Sequence, residues 1–476
     1  MKLLRYGSAA WRRFVAGLPR ASAGSPAVER AVARILAEVR RDGDAALLRL
    51  TRRFDGVTLS ARELWMKPAD VRARAERADP ALVRALGRMA RRVEAFHRRQ
   101  LQRGFALRLP DGSRLEEVVA PLDSAGLYVP GGAGAYPSSV LMNAIPARVA
   151  GVRRLVVATP PRALDENPAV AAALCLVGLE GSVLRVGGAQ AVAALAFGTR
   201  RVRPVDKIVG PGNAYVAAAK RQVRGRVEID GEAGPSEVVV LADDSADPGW
   251  VAADLLAQAE HGSGDETAVL VTPSAELAEE ATRLVAEGLG VAANRARTRR
   301  ALARFGAVVR VRDLEEGLAA VNALAPEHAE VMTRSAASVA RRVVAGAVFV
   351  GPWTPVAVGD YGVGPNHVLP TGGAARFSSP LSVRDFQRRG SRAAARGGRR
   401  GAGGRGRGLP GPRPERADAL RPRGRSRRPE ERRRGWRRRT SRAARPGRSF
   451  APGQQGSPRT TVFGEARPMS PRDPLR

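Results

Sequence analysis

From Glu116 the chain repeats one unit, an apolar stretch that runs into a helical pattern, and this repetition limits the folds open to it. EEVVAPLDSAGLYVPGG reads as a strand and a glycine-rich turn, and helical spacing resumes from Ser139 to Val149. RLVVATPP then leads into a helix through Cys175, SVLRVGG into AQAVAALAFG, and DKIVGPG into NAYVAAAKRQV. Strand, turn and helix in alternation predict a parallel sheet with helices on both faces. In such sheets ligands lie beyond the carboxyl ends of the strands, where Gly187-Gly188 and Gly210-Pro211-Gly212 fall. Neither a G-x-G-x-x-G fingerprint nor a P-loop occurs, so any nucleotide site is atypical. A second series follows from Glu237: VVVLAD, a short helix, TAVLVT, a helix from Ala275 to about Leu289, AVVRVR and LEEGLAAVNAL. The expected fold class is therefore α/β, two Rossmann-like parallel-sheet lobes that cross over near Gly234-Pro235-Ser236, followed by a disordered Arg/Gly/Pro-rich tail.

The N-terminal region predicts helices over Val28–Phe54, broken at Gly43-Asp44, and from Pro80 to about Arg103. His97, flanked by arginines, reads as a solvated helix residue without a role. A net charge of +34 resembles that of a nucleic-acid binder, but +20 of it lies in Ser391–Arg476, where 26 arginines face 6 acids. Only Lys2, Lys67, Lys207 and Lys220 are lysines, a bias that fits a GC-rich coding sequence better than a binding surface. Cys175 is the single cysteine, so no intrachain disulfide framework exists and a reducing cytoplasm is expected. Arg12 and Arg13 interrupt the N-terminal apolar residues, which argues against a signal peptide, and no uncharged run is long enough to span a bilayer.

Four short segments carry reactive side chains. Asp247-Pro248 opens and Gly262-Ser263-Gly264 closes one helix, on which Gln258 and His261 stand three apart and share a face. An imidazole and an amide oxygen aimed at one point suit a shared metal ion, whereas the plain alternative is a surface pair that caps its helix. Glu327 and His328 adjoin just after Pro326, in what reads as the first turn of a helix, where the dipole disfavours an imidazolium. Asp360 and His367 lie in a glycine-rich, irregular loop, and Ser236 sits at a turn. Each alone has an ordinary explanation as a turn, capping or loop residue. Three of the four histidines nevertheless fall in these segments.

VRRDGDAALLRLTRRFDGV, GLYVPGG, VGGAQAVAALAFGT, KIVGPGNAYV, DGEAGPSE, QAEHG, APEHAE and GDYGVGPNHVLPTGGAARFSSPLSVRDF resemble, in order, the motifs of histidinol dehydrogenase, over about Val28 to Gln387. The resemblance implies a cytoplasmic homodimer that uses zinc and NAD to oxidise L-histidinol through the aldehyde to L-histidine, the last steps of histidine biosynthesis. It makes Gln258, His261 and Asp360 zinc ligands that also touch substrate, His328 the base for the alcohol proton, and Glu327 the activator of water. Ser236 would contact substrate, and Tyr128, Gln190 and Asn213 would contact NAD. It divides the chain into a metal and catalytic lobe with the N-terminal helices (1–125 plus 237–387), an NAD lobe (126–236) and the tail (388–476). The residues themselves agree in part: two adjacent proton acceptors suit two successive oxidations, and Gln190 and Asn213 open helices after glycine turns, where backbone N–H groups meet a pyrophosphate.

After Gln387 the resemblance stops. The family continues with a segment whose glutamate and histidine reach the partner subunit's site, but this chain has no histidine after His367, so the fourth zinc ligand is absent. The tail lacks apolar periodicity and is expected to be disordered. It reads either as a nucleic-acid-binding Arg/Gly segment or as the product of a frameshift near codon 388. Two further readings remain open: a catalytically dead homologue whose tail binds RNA, and a related zinc/NAD dehydrogenase of another small polar alcohol.

Overall fold

The computed structural model describes residues 1–19, 25–132, 136–232, 234–262 and 264–394. The expected disordered tail lies outside them from residue 395 onward. The strands of the first half are β1 (Lys2–Arg5), β2 (Phe105–Arg108), β3 (Arg114–Pro121), β4 (Ser124–Tyr128), β5 (Arg154–Ala158), β6 (Val183–Leu184), β7 (Lys207–Val209) and β8 (Glu228–Ile229). Those of the second are β9 (Glu237–Ala242), β10 (Thr267–Thr272), β11 (Gly306–Arg310), β12 (His328–Met332), β13 (Ala347–Val350) and β14 (Gln387–Ala394).

They form three sheets. One is five-stranded, in the order β6-β5-β4-β7-β8, and one six-stranded, in the order β1-β11-β10-β9-β12-β13. Every pairing in both is parallel. The lobes repeat one plan: the first strand in the chain is central, the next two extend to one side, and the following two to the other. β1 joins only as an added edge. Each sheet thus has a switch point beside its first strand, between β4 and β7 and between β9 and β12, where neighbouring crossovers leave in opposite directions and open a crevice.

Burial on both faces explains the apolar strands. VVVLA in β9 and AVLV in β10 are fully buried and read as continuous apolar runs rather than alternating ones. The six-stranded sheet carries helices Pro248–Glu260, Ala275–Gly288 and Arg295–Phe305 on one face, and Ala9–Ala16 and Leu314–Leu324 on the other. The five-stranded sheet packs Gly188–Phe197 and Ala214–Val223 on one face and Pro137–Ala150 and Pro168–Leu176 on the other.

Three expectations need correction. Helices Pro26–Asp42, Asp44–Asp55, Pro68–Ala75 and Pro80–Arg98 share cores with the five-stranded sheet, through Val32, Leu47, Val71 and Val93 among others, so they belong with that lobe and not with the six-stranded one. Their apolar stripes need a partner, and the alanine-rich helices of the smaller sheet supply a flat one. EEVVAPLDSAGLY is two strands in different sheets: β3 pairs antiparallel with β2 and β14, and β4 lies in the five-stranded sheet. Residues 388–394, assigned to the disordered tail, form β14 with Gln387 and pair with β3 from Gln387↔Pro121 to Ala394↔Arg114. Arg392 stands opposite Glu116 in that register, an opposite-charge pair that suits the exposed strand.

One close approach sets the crevice of the smaller lobe. Gly210, just past β7, has φ +116°, and a Cβ built there would lie 2.1 Å from the carbonyl oxygen of Tyr128 at the end of β4. Only glycine fits both the dihedral and the contact. Gly210→Ala is therefore expected to destabilise the protein by about 2–4 kcal/mol, the combined cost of αL-type strain and overpacking, read as a lowered thermal midpoint of the full chain.

Candidate active site

A cavity of about 1100 Å³ opens at the carboxyl end of the five-stranded sheet and the amino ends of β9 and β12. All nine residues singled out from sequence line it: Tyr128, Gln190, Asn213, Ser236, Gln258, His261, Glu327, His328 and Asp360. So does His367, whose role was left open. On the six-stranded side this departs from the usual placement of ligands at carboxyl ends, since Ser236 precedes β9 and Glu327 precedes β12.

Glu327 and His328 do not open a helix. Helix Leu314–Leu324 ends at Ala325, the only non-glycine residue with positive φ among those described (46°), and Pro326 then turns the chain into β12. A buried alanine held in the left-handed region costs about 1 kcal/mol, and that strain is stored immediately before the reactive pair. The turn aims both side chains at the cavity floor. His328 Nδ1 lies 2.9 Å from the carbonyl oxygen of Glu237, which makes Nδ1 the protonated nitrogen and leaves Nε2 with a lone pair. Glu327 Oε2 accepts the Ser236 hydroxyl at 2.5 Å and the Glu237 N–H at 3.1 Å. Reciprocally, the Glu327 N–H donates to Glu237 Oε2 at 3.1 Å, while Glu237 Oε1 accepts the Gly372 N–H. The tautomer of His328 is thus set by a carbonyl and not by a helix dipole.

Asp247 caps helix Pro248–Glu260 by accepting from Gly249 and Trp250. Gln258 lies in its last turn, 6% exposed, and His261 is the exposed C-cap residue. Asp360 sits in the short helix Val356–Tyr361, within the segment expected to be irregular. The Gln258 amide nitrogen is buried and has no partner among the described residues. An amide, an imidazole and a carboxylate on one cavity fit a catalytic zinc that keeps an open position, and the unmatched amide of Gln258 is consistent with a missing ligand. Among the described residues no three His, Cys, Asp or Glu side chains gather closely enough to hold a metal. His367 Nε2 is likewise enclosed without a partner, and burial pushes its imidazole below the usual histidine range, opposed by Asp360.

Behind the two catalytic elements lies a carboxyl pair that sequence reasoning missed. Glu330, two residues after His328 on β12, meets Asp254, one turn before Gln258, carboxyl to carboxyl. Glu330 Oε1 also accepts the Val356 N–H at 2.7 Å, at the start of the helix that bears Asp360. Two carboxyls cannot both ionise in so dry a place, and burial pushes Glu330 up to about 9.

On the other wall, the Tyr128 hydroxyl accepts the Gly188 N–H at 3.0 Å, so that amide, expected to be open to a pyrophosphate, is already engaged. Burial pushes the Tyr128 phenol above its usual range. Asn213 Oδ1 caps helix Ala214–Val223 through Tyr215 and Val216, at 3.0 and 3.1 Å. Gln190 is 2% exposed in the first turn of helix Gly188–Phe197. Lys220 and Asp230, given no role in the sequence reading, form a buried ion pair that grips Gly210: Lys220 donates to its carbonyl at 3.1 Å and Asp230 Oδ2 accepts its N–H at 2.7 Å. His97 is no solvated residue. It is fully buried, with Nδ1 2.8 Å from Gln100 Oε1 and Nε2 3.2 Å from Asn366 Nδ2, next to His367.

Two parallel-sheet α/β lobes that share one cavity, with Glu327 and His328 side by side on its wall, fit the class of two-lobed α/β oxidoreductases. The family model for histidinol dehydrogenase matches residues 18–397, ten residues beyond the end of the resemblance read from sequence. The chain is 50% identical over 366 residues to the histidinol dehydrogenase of Cereibacter sphaeroides, an alignment that covers 77% of this chain and 84% of that one. It is 52% identical over 358 residues to the Gluconobacter oxydans enzyme, covering 75% and 82%. The crystal structure of histidinol dehydrogenase from Elizabethkingia anophelis superposes with a TM-score of 0.77 at 30% identity, over 83% of this chain and 90% of that one. This chain belongs to the histidinol dehydrogenase family.

The Glu330 pair gives a signed pH dependence. From the ordinary carboxyl value of 4.5 up to about 9, the folded state keeps a proton that the unfolded state releases, so stability falls as pH rises through that window. Chemical denaturation between pH 5 and pH 9 is expected to show this fall, and Glu330→Gln to flatten it.

Proposed function

We propose that the chain oxidises L-histidinol through the aldehyde to L-histidine with two NAD, in the cytoplasm and as a homodimer. The observation that carries this reading is the convergence of all nine expected residues on one cavity, with Glu327 and His328 side by side between the lobes. Bound zinc supplies a Lewis acid that orients and polarises the substrate, and bound NAD supplies the hydride acceptor. Gln258, His261 and Asp360 are the residues that would hold the metal, and Tyr128, Gln190 and Asn213 those that would contact the dinucleotide.

In the first oxidation His328 Nε2 takes the hydroxyl proton of the alcohol as a hydride leaves the carbinol carbon for NAD, and the Glu237 carbonyl steadies the imidazolium through Nδ1–H. In the second, Glu327 removes a proton from the water that adds to the aldehyde, and the hydrate loses a hydride to a second NAD. Ser236, whose hydroxyl donates to Glu327 Oε2, orients that carboxylate and contacts the substrate. Two hydrides leave, one proton is released in the first oxidation and two in the second as the product forms its carboxylate, and one water is consumed overall.

The full chain supplied with L-histidinol, NAD and zinc is expected to form NADH slowly; no NADH above a heat-inactivated control would overturn the reading. His328→Ala should lower kcat about 10²- to 10⁴-fold, the usual contribution of a general base. Glu327→Gln should slow the second oxidation more than the first, so that NADH formed per histidinol consumed falls from two toward one. With no histidine after His367, zinc content after dialysis is expected to fall below one per chain; full retention would show that the fourth position needs no C-terminal ligand.

A further inference from the structure

Asp55 is the last residue of helix Asp44–Asp55, and its carboxyl lines the cavity beside Tyr128. That is an unfavourable place for an acid. The C-terminal end of a helix is the negative end of its dipole, and Asp55 Oδ2 is buried with no hydrogen-bond partner among the described residues. Burial alone pushes this carboxyl above the usual aspartate range, with no cation or donor opposing it. Nothing among the described residues rewards the charge, which leaves a ligand with hydroxyl donors as its complement.

Its position says which ligand group that is. In open parallel sheets that bind dinucleotides, an acid at the end of the second strand reads the ribose hydroxyls next to the switch point. Here β5 ends in Thr159-Pro160-Pro161 and provides no acid. Asp55 reaches the same crevice from a different element, beside the Tyr128 hydroxyl, which itself takes the Gly188 N–H. The other acids on this wall are committed or exposed: Asp230 is paired with Lys220, Glu232 with Arg221 at 3.6 Å, and Glu166 faces solvent.

We propose that Asp55 is the specificity-determining residue of the dinucleotide site: its carboxylate accepts hydrogen bonds from a ribose diol and repels a 2′-phosphate, selecting NAD over NADP. The inference rests on the dinucleotide reading above. Direct binding of NADH and NADPH to the full chain, followed by fluorescence titration without substrate, tests it in the wild type and in Asp55→Asn, Asp55→Ala, Asp55→Glu and Glu166→Gln. The wild type is expected to bind NADH at least tenfold more tightly than NADPH. Asp55→Asn and Asp55→Ala should each weaken NADH about tenfold and close the gap to NADPH, whereas Asp55→Glu and Glu166→Gln should keep the preference. If the neutral Asp55 variants keep the wild-type ratio, or if Glu166→Gln is the one that changes it, the assignment to Asp55 falls while the dinucleotide reading stands. A wild type that binds neither nucleotide overturns both.

Discussion

Two buried glutamates hold each other's backbone across the switch point of the six-stranded sheet, and the reactive geometry depends on that exchange. Glu237 opens β9 and Glu327 precedes β12, and each side chain accepts the other's N–H at 3.1 Å. A parallel pair leaves the amino ends of its strands with unmatched donors, and a buried unmatched N–H costs about 1–3 kcal/mol. The carboxylates meet that need and in doing so become fixed themselves. Glu327 is thereby aimed at the cavity, His328 is set on the Glu237 carbonyl, and the Gly372 loop is tied to the same residue through its N–H. Replacing Glu237 would thus disturb Glu327 and the Gly372 loop together.

The two lobes meet this cavity with opposite ends. The five-stranded sheet presents its carboxyl end, with the tight Gly210 passage locked by Lys220 and Asp230. The six-stranded sheet presents amino ends, reached by the turn through Ala325. Parallel sheets have crevices at one end and strand starts at the other, so facing them in this way sets the crevice of one lobe opposite Glu327 and His328 of the other, without either lobe carrying both. The Glu330–Asp254 carboxyl pair joins the elements that carry His328, Gln258 and Asp360 on the catalytic side.

Much of this was legible in the chain itself. Apolar runs doubly buried in parallel sheets announced β5, β7, β9 and β10, and glycine turns marked the crevice. The segments that misled did so for stated reasons. PEHAEVM carries a proline and acids that suit a helix start, but EVM and its neighbours are drawn into a sheet by β9 and β13. Arginines around His97 are exposed on the outer face of their helix, while the histidine faces inward to Asn366, a partner 269 residues away that no local pattern reveals. Asp55, Lys220, Asp230 and Glu330 escaped because each looks like an ordinary helix or strand-end charge; only the long-range packing shows that they are enclosed. β14 was hidden by composition, since QRRGSRAA resembles the arginine-rich residues after it, and its pairing with β3 depends on register alone.

The edge strand β1 has a consequence for the order in which the molecule assembles. Among the described residues Lys2–Arg5 pairs only with Gly306–Arg310, and β11 lies about three hundred residues downstream. At roughly 5–20 residues per second of synthesis, β1 waits some tens of seconds for its neighbour, while the five-stranded lobe, whose strands fall between Ser124 and Ile229, can close meanwhile. β1 is thus among the last strands of its sheet to dock, and its unpaired backbone stays open until β11 has been made.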